Sequence, residues 1–188
     1  MDFIKMLRED MGLLVSLSNV SDVEILPEFR TSENQDGDLT YNIPGKTFAE
    51  SGSGGEYILL DDGSIGYWGS EGQCGRLAEN LNEFFEFVVS CPFWQNYLRE
   101  DAYQSRETLE AFAKEDYKRV VEETKGFGFD LPKAQQELFE RLEIEKKTDI
   151  TDILMRFYQC AKREPRFITT YTDYDGETHS GTGSLFDR

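Results

Sequence analysis

The sequence predicts an α+β fold: an antiparallel or mixed β-sheet packed against helices, with a mainly helical C-terminal extension. Three observations predict it. Residues 56–68 carry a strand–turn–strand pattern around Asp61-Asp62-Gly63. Residues 80–163 carry successive apolar stripes at helical spacing. Sheet and helix signals are segregated along the chain instead of alternating, which separates α+β from α/β organisation.

Taken in order, Phe3, Leu7, Met11 and Leu14 share one side of a helix over residues 2–17, with Asp2 as its cap. Residues 18–22 are a break, and residues 23–29 a short apolar piece interrupted by Pro27. Residues 31–55 are rich in Gly, Asn, Asp, Ser and Thr, and are expected to be loop and turn. Residues 56–60 and 64–68 are the two strands of the hairpin. Glycines then recur every third residue from Gly63 to Gly75, which fits neither a strand nor a helix face. They predict a twisting strand running into a tight loop, where backbone passes close to backbone.

Asn80 caps the next helix, with Glu83 three residues on and Leu81, Phe84, Phe85 and Val88 as its stripe. Cys91-Pro92 ends it, and Phe93, Trp94, Tyr97 and Leu98 form another short apolar turn. Ser105 starts a helix that stops at Gly126. Asp130-Leu131-Pro132 starts another, and residues 148–163 a third, stopped by Pro165. Residues 166–180 are expected to form a final hairpin turning at Asp175-Gly176. Residues 1–100 are thus read as an α+β unit, and residues 101–188 as a mainly helical extension packed on it.

The chain has 188 residues, of which 38% are hydrophobic and 13% aromatic, with 14 Phe. Such a chain buries roughly 70% of its unfolded surface and needs no metal or disulfide to fold. Cys74, Cys91 and Cys160 are odd in number and widely spaced, which predicts reduced thiols and not a disulfide framework or zinc site. Acidic residues interrupt the N-terminal apolar residues, so no secretory signal is read there. No apolar run approaches the length of a membrane span. A cytoplasmic protein is expected.

The net charge is −17. Residues 1–100 hold 18 Asp and Glu against 6 Lys and Arg, and between Lys46 and Arg99 the one basic residue is Arg76. This surface repels nucleic acid and anionic membrane and attracts a basic protein. Enzyme signatures fail on particular residues. The lone histidine, His179, sits in a polar segment with no nucleophile motif. Gly45-Lys46-Thr47 has Thr40 where a phosphate loop needs glycine, and Tyr57 replaces the last glycine of a dinucleotide fingerprint. Asn34, Asp36 and Asp38 alternate like calcium ligands, but Leu39 stands at the turn glycine and Gly45 at the bidentate Glu. No catalytic residue, metal ligand, cofactor or small-molecule substrate is assigned.

Residues 23–98 resemble the SUKH superfamily, which includes a fungal cell-wall-assembly regulator and bacterial toxin-immunity proteins. The resemblance rests on Ile25-Leu26-Pro27-Glu28-Phe29, on residues 48–57 with Gly52-Ser53-Gly54-Gly55, on residues 62–68 ending in Tyr67-Trp68, and on the Phe-rich helix at 81–89. Asp36-Gly37 stands where many relatives have Asn-Gly. The resemblance implies an immunity protein that binds a cognate toxin domain, a nuclease in many such pairs, and catalyses nothing. The alternative is a regulatory protein-interaction scaffold in signalling or cell-envelope control. The expected partner-binding surface is Asp36, Asp38, Glu50, Glu56, Asp61, Asp62 and Glu71, facing a basic toxin domain. Tyr67 and Trp68 are candidate anchors, with core positions the equal alternative.

Overall fold

A computed structural model describes residues 3–31, 39–180 and 185–186. The first helical stretch divides in two, α1 (Phe3–Glu9) and α2 (Met11–Ser21). Asp10 causes the division. Its backbone is extended and its carboxylate accepts the Leu13 N–H at 3.0 Å, so it caps a new helix instead of continuing the old one. Asp2, the expected cap, lies outside the described residues. Asp22 closes α2 in the left-handed conformation, at φ 55°.

Five strands follow in the main sheet: β1 (Glu24–Thr31), β3 (Gly45–Glu50), β4 (Glu56–Leu60), β5 (Ile65–Trp68) and β6 (Cys74–Ala78), with β2 (Leu39–Tyr41) outside it. The sheet order is β1-β3-β4-β5-β6, and each neighbouring pair is antiparallel. β1 is an edge strand whose register breaks between Ile25 and Arg30, around Pro27, which has no N–H to donate. The stretch expected to be loop therefore contains β2 and β3. Pairing along β4 makes β3 a strand despite its glycine-rich surroundings.

The glycine series resolves into two uses. Gly63 and Gly72 take positive φ in the two hairpin turns. Gly66 and Gly75 leave room for side chains: a Cβ on Gly66 would lie 3.0 Å from Phe167, and one on Gly75 2.9 Å from Leu185. The close approach is thus to C-terminal side chains at Gly66 and Gly75 and to the Gln73 side chain at Gly69, not to neighbouring backbone.

The helices are α3 (Leu81–Ser90), α4 (Arg106–Gly126), α5 (Leu131–Arg141) and α6 (Thr151–Lys162), with 3-10 turns at Trp94–Tyr97 and Glu100–Gln104. Asn80, Ser105 and Asp130 cap α3, α4 and α5 through their side chains, as expected. α6 starts at Thr151, later than expected, because Asp149 accepts the Thr151 N–H at 2.8 Å. The last hairpin is β7 (Thr169–Thr172) and β8 (Thr178–Ser180). β7 also pairs with β2, giving a second, three-stranded sheet of order β2-β7-β8. Six helices and two antiparallel sheets make the described residues an α+β fold.

Strand alternation divides the main sheet between two apolar clusters. On one face, Phe48, Tyr57, Ile65, Tyr67 and Leu77 join Phe84, Phe85, Trp94, Leu109, Leu138 and Phe157 in a single buried cluster, which draws from both halves of the chain. On the other, Ile58, Leu60 and Cys74 bury Phe167, with Tyr41, Ile43 and Trp68 packed around them. Full burial of each such side chain contributes roughly 1.5–3 kcal/mol.

Candidate partner-binding surface

Glu50 and Glu56 face each other directly across β3 and β4. Two carboxylates in that register repel. Arg30, from β1, resolves the conflict: its Nη2 lies 2.5 Å from both Glu50 Oε1 and Glu56 Oε1. The other oxygen of Glu56 accepts hydrogen bonds from Thr47 Oγ1 at 2.9 Å and Tyr41 O–H at 3.2 Å. Glu56 is 7% exposed, and this set of partners offsets the hydration a carboxylate loses on burial. These two glutamates join β1, β2, β3 and β4 together.

Asp62 is the centre of a second network. In the β4–β5 turn its Oδ1 accepts from the Ser64 N–H at 3.0 Å and from Ser64 Oγ at 2.5 Å. Its Oδ2 accepts from Arg76 Nη2 at 2.9 Å and Arg163 Nη2 at 3.0 Å. Arg76 is 1% exposed, donates also to Ser64 Oγ at 3.0 Å and reaches the Pro165 carbonyl. Arg163 pairs further with Glu79. Partial burial opposes the Asp62 charge, but the hydrogen bonds from Ser64 and Arg76 outweigh it and hold the carboxyl at about 2. Asp62 thus ties the segment that begins at Arg163 to the sheet.

The remaining expected residues separate. Asp61 is exposed beside Asp62. Glu71 is exposed in the β5–β6 turn, where it accepts from Gln73 Nε2 at 3.2 Å. The two turns lie at opposite ends of β5, about 13 Å of strand apart. Tyr67 is buried and packs edge-on against Trp94, with centroids 5.0 Å apart. Trp68, on the opposite face, is half-buried against the cluster containing Phe167. Asp36 and Asp38 lie outside the described residues. Asp61 and Glu71 are therefore exposed but apart, Glu50, Glu56 and Asp62 are held by arginines, and Tyr67 belongs to the core.

The hairpin β7–β8 carries what the sequence reading did not assign. Tyr171 is 42% and Tyr174 99% exposed, beside the exposed Asp175 and Glu177. Asp173 Oδ1 accepts the N–H groups of Asp175 at 3.0 Å and Glu177 at 2.9 Å, and its Oδ2 lies 2.9 Å from His179 Nε2. His179 and these backbone donors lower the Asp173 pKa. Ligand atoms of Asp173, Glu177 and His179 lie within 4.8 Å of one another, close enough to share a cation, on an open surface. The signal available in the sequence was Tyr171-Thr172-Asp173-Tyr174-Asp175-Gly176, tyrosines interleaved with acids around a turn glycine.

Cys74, Cys91 and Cys160 are free and buried, and burial pushes the Cys160 thiol up to about 12, far from nucleophilic range. No helix among the described residues is long and apolar enough to cross a membrane. No family model matches the chain, and no curated protein or solved structure is similar to it at a significant level.

Proposed function

We propose that this chain is a stoichiometric protein-binding protein, an immunity protein of the SUKH kind, that occupies the basic surface of a toxin domain and catalyses nothing. The observation that carries the reading is electrostatic. The net charge is −17, and the one cation between Lys46 and Arg99, Arg76, is buried against Asp62. Such a field speeds encounter with a basic partner and repels anionic ones. Aromatic residues supply the anchors of most interfaces. Tyr174 and Tyr171, flanked by Asp175 and Glu177, take that role here in place of the buried Tyr67. The site of action is the cytoplasm, where a delivered toxin must be met.

The test is a pull-down from the native cells at low and at physiological salt, read by mass spectrometry. A single stoichiometric basic partner with a toxin-like domain, weakened by salt, is the expected result. Tyr174→Ala weakens that capture by about tenfold or more. Asp61→Lys probes the β4–β5 end cleanly, because Asp61, unlike Asp62, is outside the Arg76–Arg163 network. Recovery of no basic partner, or capture indifferent to salt and to both substitutions, refutes the reading.

A further inference from the structure

A cavity of about 460 Å³ opens between the end of α3, the middle of α4, α5 and the segment 146–151 that leads into α6. Its volume is in the range of small-molecule pockets. The walls are apolar: Ala113 from α4, Phe139 from α5 and Ile150 before α6. Ala113 makes the space, since a larger side chain at this buried position would fill it.

The lining also carries buried polar side chains, Gln135, Ser90 and Thr151. Gln135 is buried and committed at both ends: its Nε2 donates to the Val89 carbonyl at 2.7 Å, and its Oε1 accepts from Tyr117 O–H at 2.8 Å. It pins α5 to α3 and α4, so this side of the cavity is rigid. Beside it is Ser90, the last residue of α3, 5% exposed, whose Oγ has no hydrogen-bond partner among the described residues. A buried hydroxyl without a partner is unfavourable, and a ligand atom that pairs with it recovers that loss.

The rim is cationic in a strongly anionic protein. Glu110 is occupied by Lys114 at 2.8 Å and Asp149 by Arg106 at 2.6 Å. Lys146 has no carboxylate partner among the described residues: its Nζ meets Gln136 Oε1 at 3.3 Å and lies 6.0 Å from the centre of the Phe139 ring. Lys147, paired with Glu145, stands next to it.

We propose that this cavity binds a small aryl carboxylate with a hydrogen-bonding group at its far end. The carboxylate pairs with Lys146, the ring packs between Ala113, Phe139 and Ile150, and the distal group meets Ser90 Oγ. The site is independent of the toxin-binding reading, because none of its residues lies on the β7–β8 hairpin.

Isothermal titration calorimetry of the full chain with 3-(4-hydroxyphenyl)propionate tests it. Saturable 1:1 binding is expected. The neutral amide of the same compound and the ring-unsubstituted 3-phenylpropionate should each bind about tenfold more weakly. Lys146→Gln should erase the difference between acid and amide, and Ser90→Ala the difference between the hydroxylated and plain rings. Ala113→Phe should abolish binding of all three, and a circular dichroism melt of each variant confirms that it is folded. No saturable heat with the wild-type chain overturns the proposal, as does binding in which acid and amide are equal.

Discussion

Residues 1–100 carry the five-stranded sheet and most of the charge excess, whereas residues 101–188 are mainly helical and hold 14 of the 20 basic residues. Apart from the sequence-local pair Arg99–Asp101, the described ion pairs between the halves run in one direction. Arg141 pairs with Asp10, Arg156 with Glu86 at 2.5 Å, Lys162 with Glu100 at 2.7 Å, and Arg163 with Asp62 and Glu79. In each of these the carboxylate comes from the first half and the cation from the second. The depletion of cations between residues 47 and 98 looks, in sequence, like a surface awaiting a basic partner. Much of that basic partner is the second half of the same chain. An acidic segment therefore predicts an intermolecular interface only after its internal arginines have been found.

The halves also share one apolar cluster, and the next measurements separate its contribution from that of the ion pairs. Phe157 of α6 stacks on Phe87 of α3, with centroids 4.5 Å apart, and packs edge-on against Trp94. Phe157→Ala is expected to cost about 3–5 kcal/mol in urea unfolding, the largest single effect, because it leaves a cavity where the halves join. A loss under about 1 kcal/mol would show that this core contact does not hold the halves together.

Arg76→Ala comes next. It strands Asp62 and Ser64 without their buried donor and frees the Pro165 carbonyl, at a cost of about 3 kcal/mol by the same measurement. An unchanged midpoint would show that Arg163 alone holds the β4–β5 turn.

Acid sharpens the same point more gently. Asp62 sits at about 2 when folded, against an ordinary 3.8. A carboxylate depressed by folding stabilises the protein above its unfolded value, and this contribution is lost as pH falls from about 4 toward 2. The wild-type urea midpoint should thus drop over that window, and Asp62→Asn should flatten the drop while lowering the midpoint near neutrality. Partial exposure of Asp62 keeps the effect modest. Parallel curves for the two proteins would remove Asp62 from the acid response.

The smallest expected effect is Arg156→Ala, about 0–1 kcal/mol, because its pairs with Glu83 and Glu86 are partly solvated. A cost equal to that of Phe157→Ala would reverse the ranking of core over charge.

What was legible in the chain was local. The hairpin at 56–68 and the caps Asn80, Ser105 and Asp130 depend on hydrogen bonds within a few residues, and all were readable. Asp10 shows the limit even there: its neighbours continue an apolar stripe, and only the competition of its carboxylate for the Leu13 N–H breaks the helix. β2 was unreadable because its partner, β7, lies about 130 residues away. The cavity beneath Lys146 left no signature because Ser90, Ala113, Gln135 and Lys146 come from four separate segments.

The sequence by itself determined the α+β content, the starts of α3, α4 and α5, the tight turns and an overall negative field, since these follow from short-range backbone chemistry and from composition. The tertiary structure alone decided which carboxylates remain free for a partner. Asp61 and Asp62 are adjacent and chemically identical, yet one is open to solvent and the other is bound by Arg76, fourteen residues away, and Arg163, 101 residues away. Coulomb attraction depends on separation in space and on local burial. Neither quantity is a property of position along the chain.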